Sequence, residues 1–253
     1  VTWTRTGGVV VAAAPGTIPS ASLGSTVAVG DFIGCVLDLE TTGSATDAVV
    51  DDTALGNVFT RRAAASSGSD FERMEIWTCI VTVAGTPTLR VRFNPTPGTS
   101  ATPQIDAMFD AFTGSDASST IRGTPAVQLQ TAPGTGADQV SSGSLGTATS
   151  GDLVYGGSVI SSLGTAVPTL GTGFSLGGIT TFAVTKTEYK TSSGGTEAVT
   201  FQDATNGGSA RYLTAGVLIT PAAGGGGPTV GGADEAGWAP AGSGNPTWGV
   251  NLW

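Results

Sequence analysis

Gly173, Ser175 and Gly177 stand in the G-x-S-x-G spacing of a nucleophile elbow, where a strained strand-to-helix turn lifts a serine hydroxyl toward a carbonyl. Such a serine needs a base, and the sequence contains no histidine. No helical pattern follows Ser175, so a hydrolase triad is excluded. The missing imidazole also removes His-ligated zinc, and two cysteines, Cys35 and Cys79, cannot form a thiolate cage. P-loop and dinucleotide-binding fingerprints are absent as well.

Carboxylates are the remaining route to chemistry. A glycosidase needs two of them, roughly 5 to 9.5 Å apart across the bond being cut. Asp106 and Asp110 on one strand would stand about 13 Å apart at about 3.3 Å per residue, which is too far. Asp38 and Glu40 would fall at about 6.6 Å, but on the outer face of a strand they are expected to be solvated surface. Residues 49–62, VVDDTALGNVFTRR, offer Asp51 and Asp52, with Asp47 just before them, as oxygen donors for calcium. The EF-hand alternation and its distal Glu are missing. The favoured reading is a turn closed by Asp side chains, with Gly56 at positive φ and Asn57 opening the next strand. No metal and no cofactor is therefore expected.

The elements that would position these residues read as strands. In DFIGCVLDLE, Ile33, Cys35, Leu37 and Leu39 face one way while Asp38 and Glu40 face the other, and TLRVRFN repeats the alternation through Leu89, Val91 and Phe93. ERMEIWTCIVTV and QIDAMFDAF fit helical spacing too; β-branched content favours strand for the first. AVQLQT, DLVYGGSVIS, TTFAVTKTEYK, EAVTFQ and RYLTAGVLIT follow, separated by Gly, Ser, Pro and Asn clusters. Roughly ten strands with no convincing helix imply a two-sheet antiparallel sandwich. No fixed-period repeat is evident, which disfavours a solenoid.

Composition agrees with that reading. Gly is 40 of 253 residues and charged residues only 11%, against about 25% in ordinary soluble domains. Few hydrated side chains then keep protein surfaces apart, so lasting contacts with copies or partners are tolerated. The net charge is -9 with no basic stripe, which argues against nucleic acid. No apolar run reaches the roughly 20 residues of a membrane helix, and the first residues lack a signal-peptide layout. Cys35 and Cys79, both in expected interior strands, allow one disulfide or two buried thiols.

Three segments follow: residues 1–16 as an amino-terminal segment, either edge strand or arm; 17–221 as the sandwich; and 222–253 as a flexible Gly/Pro-rich arm. The arm carries Trp238, Trp248 and Trp253, and the first segment carries Trp3. Large aromatics on such segments are expected either to anchor on a neighbouring subunit, the favoured reading, or to pack on their own domain.

The succession VGDFIGCVLDLE, VVDDTALGNVFTRR, MEIWTCIVTVAG, PTLRVRFN, MFDAFTGSDASSTI, DLVYGGSVIS and GVLIT resembles jelly-roll-like β-sandwich modules of bacteriophage virion proteins and bacterial surface or secreted proteins. The likeness spans about residues 17–221; it departs at Asp110, where Glu would be expected, and in a lengthened turn before Gly56. It implies an all-β, jelly-roll-like sandwich with a non-enzymatic structural, adhesive or decorating role, and it brings no catalytic residues. The expected protein is a virion component, a capsid decoration or minor tail part, assembled in the host cytoplasm as a homo-oligomer among other virion proteins. The alternative is an adhesion module reading cell-surface glycans through exposed aromatics, for which Tyr155, Tyr189 and Tyr212 are the available tyrosines.

Overall fold

The computed structural model describes residues 2–14, 17–40, 48–67, 72–93, 104–114, 119–131, 138–160, 168–180, 185–202 and 211–221. Every regular element in them is a strand. Both ambiguous segments settle as strands, because their apolar residues line both faces of buried sheets and so lose the alternation that marks a half-buried strand.

The first half of the chain forms β1 (Thr4–Ala13), β2 (Ser20–Ser22), β3 (Phe32–Glu40), β4 (Ala48–Asp52), β5 (Thr60–Ser66), β6 (Glu72–Ile80), β7 (Thr88–Phe93) and β8 (Gln104–Thr113). Five of these pair antiparallel in the order β1-β8-β3-β6-β5, and the other three in the order β2-β7-β4. This is jelly-roll connectivity: each sheet draws strands alternately from both ends of the segment. Ile33, Cys35, Leu37, Trp77, Leu89, Val91 and Phe109 fill the space between the two sheets.

The second half forms β9 (Thr120–Thr131), β10 (Val140–Ser141), β11 (Gly146–Ala148), β12 (Leu153–Ile160), β13 (Thr169–Leu170), β14 (Ser175–Ile179), β15 (Lys186–Thr191), β16 (Gly195–Glu197), β17 (Thr200–Gln202) and β18 (Arg211–Thr220). Its five-stranded sheet, β9-β18-β12-β15-β14, repeats the first strand for strand, and β10-β17-β13 repeats β2-β7-β4. The short β11-β16 pair takes the place of an isolated bridge from Val27 to Gly85 in the first half. Residues 17–221, expected to be one sandwich without a repeat, thus contain most of two jelly rolls, and β1 belongs to the first as an edge strand of its large sheet.

The duplication shows best at one turn. Asp31 accepts a hydrogen bond from Ala28 N and donates its own N–H to Ala28 O; Asp152 does the same with Thr149. Gly30 and Gly151, just before these aspartates, sit at φ 94° and 98°, where a side chain would strain the backbone. Gly30 N donates to Val81 O and Gly151 N to Ser192 O, so the next strand is held alike in both rolls. Outside this G-D element the rolls keep pattern rather than identity, and for that reason the period is invisible in composition.

The two large sheets pack face to face, with β1 over β14, β3 over β12, β6 over β18 and β5 over β9. Phe32, Val36, Met74, Ile76 and Phe112 meet Leu153, Tyr155, Leu213 and Val217 in this seam. On the far side of the second sheet, Val154, Tyr212 and Leu218 pack against Val140, Val199 and Phe201. The result is four layers with three apolar cores. The reversed strand order across the seam is what a two-fold axis parallel to the strands produces. Close approach needs small residues: a Cβ on Gly34 would stand 2.3 Å from the Tyr155 ring.

Candidate functional site

The aspartates of residues 49–62 are committed to the fold. Asp52 Oδ1 accepts from Ala54 N (3.1 Å), Leu55 N (3.2 Å) and Thr88 N (3.1 Å), and its Oδ2 accepts from Asn57 Nδ2 (3.0 Å). Gly56 has φ 75°, as the turn reading requires. Asn57 does not open a strand. It is buried, and its Oδ1 accepts from Thr82 N and Val83 N at 2.9 Å each, tying this turn to the loop after β6. Asp51 takes two bonds from Arg90 and one from Arg92 at 2.8 to 2.9 Å. Partial burial pushes the Asp51 carboxyl up, but the two guanidinium groups outweigh it and hold it below its ordinary value. Asp47 lies outside the described residues. Among the described residues no three or more His, Cys, Asp or Glu side chains converge as a metal site.

The densest polar cluster lies in the seam. Asp110 of β8 is fully buried; its Oδ1 accepts from Arg5 Nε of β1 at 2.7 Å, and its Oδ2 accepts from Thr187 Oγ1 of β15 at 2.7 Å and Tyr155 Oη of β12 at 3.1 Å. Four strands and both rolls meet at this carboxyl. Burial raises the Asp110 carboxyl above its ordinary value against the pull of Arg5, Thr187 and Tyr155. Asp38 and Asp106 stand directly opposite each other on β3 and β8 and are each 1% exposed. Asp38 was expected at a solvated surface; the second roll covers that face. Glu40 pairs with Gln104 through its backbone.

Each roll also buries a carboxylate within its own walls. Glu75 accepts from Trp77 Nε1 at 2.8 Å and pairs with Arg73 at 2.6 Å. In the second roll Glu188 accepts from Gly171 N (2.9 Å) and Thr200 N (3.3 Å), and burial pushes its carboxyl up to about 8. Beside it, Asp138 accepts from Thr172 N and Thr200 Oγ1, and Lys190 pairs with Glu197 at 2.9 Å.

The remaining candidates are placed as follows. Ser175 is exposed and opens β14, so its flanking glycines lead into a strand rather than a helix. Cys35 and Cys79 are buried free thiols; burial raises both, Cys79 to about 12, which leaves them unreactive at neutral pH. Trp3, expected to grip a neighbour, is 5% exposed and spent inside the chain, donating Nε1 to Gly151 O at 2.8 Å and meeting Phe32 edge-on. Trp238, Trp248 and Trp253 lie outside the described residues. Tyr155 and Tyr212 are fully buried and Tyr189 packs on Phe112 at 5.0 Å, so the tyrosines form no exposed platform for a sugar.

Sequence reasoning missed Arg5, Thr187 and Glu188. One signal was present: a Gly-Asp pair precedes both FIG and LVYG, marking equivalent strands whose neighbours could then have been matched across the chain. No protein family, curated protein or solved structure matches this chain.

Proposed function

We propose that this chain is a non-enzymatic structural protein of a bacteriophage virion, a capsid decoration or minor tail component, held among symmetric neighbours through residues 222–253. The observation that carries the reading is the use of its polar chemistry. Asp52, Asp110, Glu75 and Glu188, all buried, are hydrogen-bonded to turns, seam or walls of the rolls, as suits a body built for rigidity rather than turnover. Sparse charge and the resemblance of its segments to virion modules point the same way. The three tryptophans of the arm supply apolar area for contacts between subunits.

The test compares the full chain with one ending at residue 221, for incorporation into particles and for oligomeric state. The proposal expects the shorter chain to fold, to stay out of particles and to lose its oligomeric form. Incorporation without residues 222–253 would overturn the arm's role. Strong, selective binding of a glycan array by the shorter chain would favour the adhesion reading instead.

A further inference from the structure

The first roll is closed along one flank and open along the other. Between β4 and β5 the chain folds Phe59 into the core. On the opposite flank β1 and β2 meet, each an outer strand of its sheet. Among the described residues, Val9 of β1 and Ala21 of β2 are the only half-buried apolar groups packed on this core. The core is therefore least covered along the gap between these two strands.

The same flank offers unpaired backbone. β1 pairs with β8 on one side and with no described strand on the other, and its register runs unbroken over residues 7–13, which contain no charge and no proline. Each of the other outer strands of the large sheets carries a device that blocks strand addition. β5 has Arg61, Arg62 and a bulge, and β14 has only five residues and a bulge. β9, the equivalent of β1, has Arg122, Pro125 and a shifted register. There, moreover, Thr124 N donates to Leu145 O rather than to β18, so the second roll covers part of this edge with its own chain. On β1 the edge is left for something else.

What fits there is an extended, uncharged segment with apolar side chains at alternate positions: its backbone continues the sheet, and one row of side chains covers Val9 and Ala21. The sequence contains such a segment outside the described residues. Across residues 247–253, Trp248, Val250 and Leu252 alternate with Thr247, Gly249 and Asn251, and no charged side chain follows Glu235. No other stretch outside the described residues sets three large apolar side chains at alternate positions. Its seven residues equal the unbroken edge of β1 in length. Residues 222–246 form a Gly-rich spacer whose average reach, about 25–30 Å, crosses to an adjacent molecule. From these observations we infer that residues 247–253 of one copy add as a strand to β1 of a neighbouring copy, with Trp248, Val250 and Leu252 packing over Val9 and Ala21. The inference rests on the arm's role proposed above and names the contact the arm makes.

Hydrogen exchange of the full chain, with sedimentation, reads this edge directly. At concentrations where the chain associates, the outward amides of residues 7–13 should exchange at least about tenfold more slowly than at concentrations where it is dissociated. Val250→Pro, which removes a donor from the added strand, should abolish that protection and weaken association at least about tenfold, with unchanged circular dichroism. Trp248→Ala/Leu252→Ala, which keeps the backbone, should weaken association to a similar degree, whereas Ser243→Pro, in the spacer, should change nothing. Equal exchange of residues 7–13 at both concentrations, or protection that survives Val250→Pro, overturns the inference. Association kept in Val250→Pro but lost on removing residues 222–253 overturns it too, and leaves the arm's proposed role standing. Association that survives that removal overturns both.

Discussion

Tyr155 of the second roll donates its hydroxyl to Asp110 of the first at 3.1 Å, and both groups are wholly buried. With Arg5 and Thr187 completing the carboxyl's partners, this bond fixes how one sheet lies on the other. Apolar packing alone tolerates sliding; a directional buried network does not.

Asp110→Ala should destabilise the chain by about 2–4 kcal/mol in urea unfolding, since it strands the Tyr155 and Thr187 hydroxyls and a partly buried guanidinium. Asp110→Asn, which keeps the shape, should cost less. Equal stability of Asp110→Ala and wild type would show that the network contributes nothing.

Trp3→Ala should cost about 3–5 kcal/mol, as the loss of a buried indole against Phe32. Trp3→Phe should recover all but about 1 kcal/mol, the share of the bond to Gly151 O. A Trp3→Ala variant as stable as wild type would contradict the placement of Trp3 in the seam.

Much of this fold was legible beforehand, and the part that was not has a physical cause. Alternation through Ile33, Cys35, Leu37 and Leu39 marked one wall of the first roll. The same strand's other face carries Phe32, Val36 and Asp38, a mixture that reads as surface until a second sheet covers it. Asp38 was thus assigned to water because its neighbour lay more than a hundred residues away. The Asp52 turn was readable because its determinants are local: Asp, Gly and Asn within a few positions. The Asp110 cluster was not, because Arg5, Tyr155 and Thr187 converge only through tertiary pairing.

Glu188 predicts a pH dependence. Its folded-state carboxyl is raised to about 8 from an ordinary 4.5, so the folded state holds this proton more tightly than the unfolded chain. The associated stability is fully present below about 4.5 and is lost as pH rises through about 8. Measured at pH 5, 7 and 9, Glu188→Gln should gain on wild type by roughly 1–3 kcal/mol across the range. A stability difference independent of pH would refute the assignment.

The two adjacent aspartates should separate in effect. Asp52→Ala leaves three backbone N–H groups and the Asn57 amide short of an acceptor and should cost about 2–4 kcal/mol. Asp51→Asn loses two part-exposed, solvent-screened ion pairs, to Arg90 and Arg92, and should cost about 1 kcal/mol or less. Millimolar calcium should leave the thermal midpoint of both variants and of wild type unmoved. A calcium-dependent rise abolished by Asp52→Ala would restore the metal reading.

Scanning calorimetry of the full chain tests most directly whether the two rolls are one structural unit. Shared burial along the seam predicts a single transition, with calorimetric and van't Hoff enthalpies in agreement, that moves as a whole in Asp110→Ala. Two resolved transitions, only one of them shifted by Asp110→Ala, would mean that the rolls fold independently and that the seam joins them only loosely.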